Sequence, residues 1–357
     1  LGGATGRTLV VPSWQPGDAG GYQVVVSNPH GAVASALQSQ PVATTPDAGW
    51  RLPSPQGNSL FALQHLDGRF LGGGECGTIL SSANGTDWSV IRLGVSNTVR
   101  GFAFGNGTYL AFGDHGSLWT SADGLSWTQR DSGLGRDGRF VTAVCFGAGR
   151  FVVVGAEGLV ASSTNGADWT PGAVPLPDSL GAVTHGAGRF VALGSLGRTF
   201  VSTDGQNWTA GAQLRRPVEV IAFGAGRFVA AAGRQIFRSS DGLAWVQQTL
   251  DTTARLTSIQ FTAAGFLATL DSLDGSYLRS ADGSEWNEAT TGMARSSAAT
   301  ALTHGGGRTL MSGLAPDILL TAAAGGAWTG SLDPATVEFT AAVAGTDALV
   351  ALGSNGH

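Results

Sequence analysis

Tryptophans recur about every forty residues, glycine turns sit at fixed offsets before them, and short apolar runs lie between. Together these features predict an all-β protein, a β-propeller of four-stranded blades. Trp88, Trp127, Trp169, Trp208, Trp245, Trp286 and Trp328 are separated by 39, 42, 39, 37, 41 and 42 residues. The clearest copy of the repeat runs from Val141 to Phe146, through Gly147-Ala148-Gly149, to Arg150-Phe151-Val152-Val153-Val154. It continues from Leu159 to Ser163 and ends on Asn165, Gly166 and Trp169. The first two strands of each copy meet at Gly-x-Gly or Asp-Gly, residues that tolerate the positive φ of a tight hairpin. The second strand is the most apolar, as expected of one covered on both faces. The third ends in Ser-x-Asp/Asn-Gly, and the fourth opens with Trp. A lone sheet of this kind buries neither face, whereas blades stacked about an axis bury both.

Composition narrows the reading further. Charged residues are 13% of the chain and Gly numbers 56. That much glycine without a collagen period fits many short strands with tight turns, because apolar alternation runs throughout. All twenty basic residues are Arg and the net charge is −5, which gives a nucleic-acid partner no electrostatic support. No apolar run approaches the ~18 residues of a membrane span. The two cysteines, Cys76 and Cys145, lie in non-adjacent repeats and are read as free thiols buried like small hydrophobes. A zinc site would need about four ligands. Nothing implies a cofactor.

The turn phrase is Ser82-Ala83-Asn84-Gly85 before Trp88. It recurs around Asp123-Gly124, Asn165-Gly166, Asp204-Gly205, Asp241-Gly242 and Asp282-Gly283, while the copy before Trp328 has lost Ser and Asp. A short carboxylate or amide can accept hydrogen bonds from the backbone amides of its own turn. The following Trp is expected to pack on the neighbouring blade. The phrase resembles the Asp box, or bacterial neuraminidase repeat, of sialidases, sortilin-type receptors, some glucanases and photosystem-assembly propellers. The resemblance spans residues 50–357, with one residue fewer between Asp and Gly than the usual box. It implies a fold and not an activity, because in those families the box braces a hairpin at the blade rim, away from any catalytic pocket.

Seven complete repeats are present. Trp50, 38 residues before Trp88, and the two strands expected over 337–352 supply pieces of an eighth. The reading is therefore an eight-bladed ring closed by pairing the two ends, with seven blades as the alternative. Residues 1–43 read as the last strands of an immunoglobulin-like domain. Asp18-Ala19-Gly20-Gly21-Tyr22 resembles the tyrosine corner of that family, with Val24 where its second cysteine would stand. Residues 44–49 form the linker and approach to the propeller at 50–357. The chain is thus expected to be a monomeric piece of a longer, exported bacterial protein, located outside the cell or at its surface.

Histidines are the natural catalytic suspects, but the repeat accounts for them. His65, His185 and His304 hold the place that Phe104, Phe146, Phe223 and Phe261 hold in other copies. A sialidase would need three arginines, a Tyr–Glu pair and an Arg-Ile-Pro motif. Here Arg69, Arg150, Arg189, Arg227 and Arg308 recur at one turn, and Arg-Ile-Pro is absent. One feature breaks the periodicity. The loops joining second and third strands carry Glu75, Asp114, Glu157, Asp271, Asp274 and Asp317, with Arg198 and Arg234 in two others. They are the candidate ligand face. The expectation is a non-catalytic binding or adhesion module whose ligand is a glycan or a protein. The alternatives are a sialidase-type glycoside hydrolase and a ligand-free spacer.

Overall fold

The computed structural model describes residues 58–135, 140–176, 178–214, 216–218, 220–291 and 299–313. It also describes the backbone of strands at 20–22, 25–28, 31–34, 38–40, 319–323, 329–330, 341–344 and 349–352. The chain divides into two units between Arg51 and Leu52. In the first, Gly20–Tyr22 pairs with Gln38–Gln40 and Val25–Asn28 pairs with Gly31–Ala34, all antiparallel. Asp18, Val24, the 44–49 linker and Trp50 lie outside the described residues.

The second unit is a β-propeller. Seven antiparallel four-stranded sheets follow one another, each built from consecutive strands in the order of the chain. Their first strands, Leu60–Leu66, Val99–Gly105, Val141–Gly147, Leu180–Gly186, Val220–Gly224, Leu256–Thr262 and Ala299–Gly305, stand around the axis. The two-residue turns after them are Asp67-Gly68, Asn106-Gly107, Ala148-Gly149, Ala187-Gly188 and Ala225-Gly226 in five of the blades. Both residues of each turn have positive φ, the mirror-image geometry that matches strand twist. Second strands form the core: Phe151, Val152, Val153 and Val154 are all fully buried, and so are Phe190, Val191 and Ala192.

The eight-bladed reading is corrected here. The seventh inner strand meets the first directly: Thr300 Oγ1 donates to Leu60 O at 2.7 Å, and Leu63, Phe70, Ala301 and Leu310 share one buried cluster. That contact leaves no gap for another sheet. Ala341–Ala344 instead pairs with Leu349–Leu352 as a two-stranded sheet of its own.

The turn phrase folds as its chemistry requires. In six blades the Ser hydroxyl accepts the amide of the Gly three residues on, as Ser82 does from Gly85 at 2.8 Å. In five of these the Asn or Asp Oδ1 then accepts the next two amides, as Asp204 does from Gln206 and Asn207 at 2.9 and 2.8 Å. The tryptophans pack on their own blade as well as on its neighbour. Each of Trp88, Trp208, Trp245 and Trp286 lies 6.3–6.5 Å from the second-strand Phe of its own blade. Several also clasp their own turn, as Trp245 and Trp286 do by donating to Gly242 O and Gly283 O at 3.1 Å. The neighbouring blade is met as expected, since Trp88 packs against the seam cluster of Leu63, Phe70, Ala301 and Leu310. Trp328 lies outside the described residues.

Candidate functional site

Because strands alternate in direction, each inner strand begins on the face where the second-to-third loops lie, and the Ser–Asp turns occupy the opposite face. Near their starts six of the inner strands, among the described residues, carry a bulge, an extra residue that the pairing skips. The bulged residues are Phe61, Arg100, Thr142, Gly181, Thr257 and Thr300. Bulges re-aim side chains at the ends of strands. Here they place one residue from each of these six blades around the axial mouth. Three are threonines whose hydroxyls donate to the next blade's inner strand, at Leu180 O, Ala299 O and Leu60 O. That part of the rim is closed upon itself.

The first two blades depart from this pattern. The Arg100 guanidinium lies over the Phe61 ring at 4.9 Å, a cation–π contact. Its Nε donates to Asp114 Oδ1 at 2.8 Å, while Asp114 Oδ2 accepts the Thr98 amide at 3.2 Å. Burial alone would raise the Asp114 carboxyl; the bonds from Arg100 and Thr98 outweigh it and hold the group below its usual range. His115 follows in the left-handed region at φ 57°, and Phe140, from the third blade, is 51% exposed. These groups and the threonine rim enclose a cavity of about 770 Å³. Its volume suits several peptide residues or a small organic molecule.

Of the acidic loop residues, Asp114 alone lines this cavity. Glu75 Oε2 accepts the Ser59 amide at 3.1 Å. Asp274 Oδ1 accepts the Ser272 hydroxyl at 2.6 Å and the Ser276 amide at 2.9 Å, which lowers its carboxyl. Asp274 also borders a smaller hollow of about 270 Å³ with Arg234 and Asp251. Glu157 sits at the tip of its loop with φ 52°, its amide donating to Ser179 Oγ. Asp271 is exposed, with its amide bonded to Arg255 O. Asp317 lies outside the described residues. Sequence reading missed Phe61, Arg100 and Phe140, and set His115 aside as a loop histidine without a partner. Aligning the repeats would have shown Phe and Arg where three other blades carry Thr.

At the opposite end of the channel, His65, Phe104, Phe146, His185, Phe223, Phe261 and His304 occupy one equivalent position. Six of them stack on the aromatic ring opposite in the second strand, for instance His65 on Phe70 at 4.5 Å and His185 on Phe190 at 4.6 Å. Among the described residues no three His, Cys, Asp or Glu side chains converge as a metal site. The cysteines correct the sequence reading: Cys76 is exposed, while Cys145 is partly buried beside the channel, where burial pushes its thiol up.

No protein-family model and no curated protein matches the sequence. Among solved structures, the chain is similar to YCF48 from Cyanidioschyzon merolae, with a TM-score of 0.59 and 16% identity over 76% of this chain and 96% of that one. YCF48 bound to D1 peptide gives 0.54 and 19%, over 71% and 88%. A catalytically inactive virginiamycin B lyase from Staphylococcus aureus with quinupristin gives 0.66 and 10%, over 75% and 96%. At these identities the likeness shows the fold alone. The class is a β-propeller protein.

Proposed function

We propose that the chain is a non-catalytic binding module that holds a polypeptide segment in the cavity beside Phe61 and Arg100. The observation that carries this reading is the local loss of repeat symmetry. A threonine rim on the third, sixth and seventh blades gives way in the first two to an aromatic ring and a tethered guanidinium, beside the exposed Phe140 of the third. A spacer has no use for that exchange. YCF48 bound to D1 peptide supports a peptide over a glycan, because a propeller of this fold there takes a peptide.

The non-enzymatic reading is supported by the cavity's chemistry. Glycan hydrolysis uses a pair of carboxylates, one of them kept protonated. Asp114 is the one carboxylate among the described lining residues, and Arg100 holds it ionised. The Ser–Asp turn, with its side-chain bonds to two amides, supports reading the repeat as a shortened Asp box. The immunoglobulin-like reading of residues 1–43, and the extracellular setting of a longer bacterial protein inferred with it, rest on the tyrosine-corner phrase at Asp18–Tyr22.

The test is a screen of the full chain against peptide and glycan arrays, followed by titration of the best binder against Arg100→Ala and Phe140→Ala. Peptide capture weakened about tenfold or more by either substitution is expected, the loss of one well-placed anchor. Conversion of a captured molecule into product, or capture indifferent to both substitutions, overturns the reading.

A further inference from the structure

The seam that closes the ring differs in chemistry from the others. Toward the end of each inner strand an aromatic residue is followed in most blades by Gly, and the next blade's ring lies flat on that Gly. Phe146 covers Gly105, His185 covers Gly147, Phe223 covers Gly186, Phe261 covers Gly224 and His65 covers Gly305. In each case a Cβ on the glycine would fall about 2 Å from the ring, so the contact is as close as two chains can make. The residue before the covered glycine is Phe104, Phe146, His185, Phe223 and His304 in turn. Only between the seventh and first blades are both positions histidine.

The same seam lacks a strand shared between the chain's two ends, since each blade is built from consecutive strands. Side chains close it. Thr300 Oγ1 donates to Leu60 O, and Gln260 Nε2 reaches from the sixth blade to Leu63 O at 2.8 Å. His304 Nδ1 is bonded to Thr309 Oγ1 at 2.8 Å. The charged residues on the hairpins that carry the two imidazoles are Asp67 and Arg69 on the first blade and Arg308 on the seventh. Arg69 is tied to Ser81 Oγ at 3.0 Å, and Arg308 packs against Gly85. Among the described residues no carboxylate is bonded to His65 or His304, so nothing offsets a charge placed on both.

We propose that the seam between the first and seventh blades is a pH-operated opening, closed while His65 and His304 are neutral and loosened when both take up protons. Burial, then the proximity of His304, holds His65 below its ordinary value of 6.5, and burial lowers His304 too. A histidine depressed in the closed ring binds its proton more readily once the seam has opened. Closure is therefore fully favoured above about pH 6.5 and is lost as pH falls through the depressed values. His185 is also lowered by burial. It covers Gly147, which follows Phe146, so its protonation sets no second imidazolium beside it.

Hydrogen exchange of the full chain at about pH 7.5 and about pH 5, corrected for intrinsic rates, tests the proposal. At the lower pH, strands 60–66 and 299–305 should exchange severalfold faster relative to 220–224. Replacing both histidines by the residue other blades use (His65→Phe with His304→Phe) should abolish that difference, and His185→Phe should leave it intact. If the double variant does not fold, His304→Phe alone removes the like-charged neighbour and should reduce the effect severalfold. Equal loss of protection in every inner strand, or the same seam-specific loss after the histidines are replaced, overturns the proposal.

Discussion

At the scale of single residues, the Ser–Asp turns show what local sequence can specify. Ser202 Oγ accepts the amides of Asp204 and Gly205, and the Ser202 side chain is buried. Ser202→Ala leaves both amides without that acceptor and should cost about 1–3 kcal/mol in a urea unfolding measurement. A loss under a few tenths would mean that water replaces the hydroxyl freely. The carboxylates of the same turns set an acid limit. The backbone amides of Ser126 and Leu125 bring Asp123 to about 2, and those of the following residues lower Asp204 and Asp241. Groups depressed in the folded state stabilise it fully above the unfolded value of 3.8 and lose that contribution as pH falls through their folded values. Tryptophan fluorescence should therefore report a further loss of stability between about pH 4 and about pH 2, below and separate from the histidine range. This chemistry was legible because donor and acceptor lie two or three residues apart. The tryptophan clasp onto the turn glycine, equally local, was not read, because indole N–H bonding leaves no composition signal.

At the scale of the strand, the inner strands carry the positions that matter, and two glycines in one of them separate close approach from mere tolerance. A Cβ at Gly186 would lie 2.0 Å from the Phe223 ring, while one at Gly181 would meet nothing within 4 Å. Gly186→Ala should therefore destabilise by about 1–3 kcal/mol, because the next blade's ring must leave its place. Gly181→Ala should stay within about 0.5 kcal/mol of the parent. Equal effects in thermal melts would show that the blades slide to accommodate a methyl group. The four-strand repeat, the hairpin turns and the buried second strands were all readable from alternation and glycine placement. The candidate site was only half readable. Sequence pointed to the face of the cavity through Asp114, but Glu75 is tied to the Ser59 amide and Asp274 braces its own loop. Phe61 and Arg100 escaped notice because the bulge that aims them at the axis is a property of the paired strands.

At the scale of the whole molecule, blade number was the feature sequence could not fix. Counting repeats gave seven full copies and two leftover pieces, and the pieces invited an eighth blade. What decides the count is whether the seventh inner strand fits against the first, a contact between residues some 240 positions apart, as for Thr300 and Leu60. Small residues govern that fit: Ala301 in the shared cluster and Gly305 beneath His65 let the two strands approach as closely as any other pair. A ring already closed by these contacts has no structural need of the strands at 341–344 and 349–352. Ending the chain after Gly330 should therefore leave a folded propeller, with a melting temperature within about 4 °C of the parent, the shift that about 1 kcal/mol makes in a domain of this size. An eight-bladed ring closed by the chain's ends makes the opposite demand, because losing those strands would expose two sheet edges and lead to aggregation. Size-exclusion chromatography of the shortened chain separates the two: a monomer with unchanged far-ultraviolet circular dichroism confirms closure by side chains, and loss of the monomer peak returns the terminal strands to the ring.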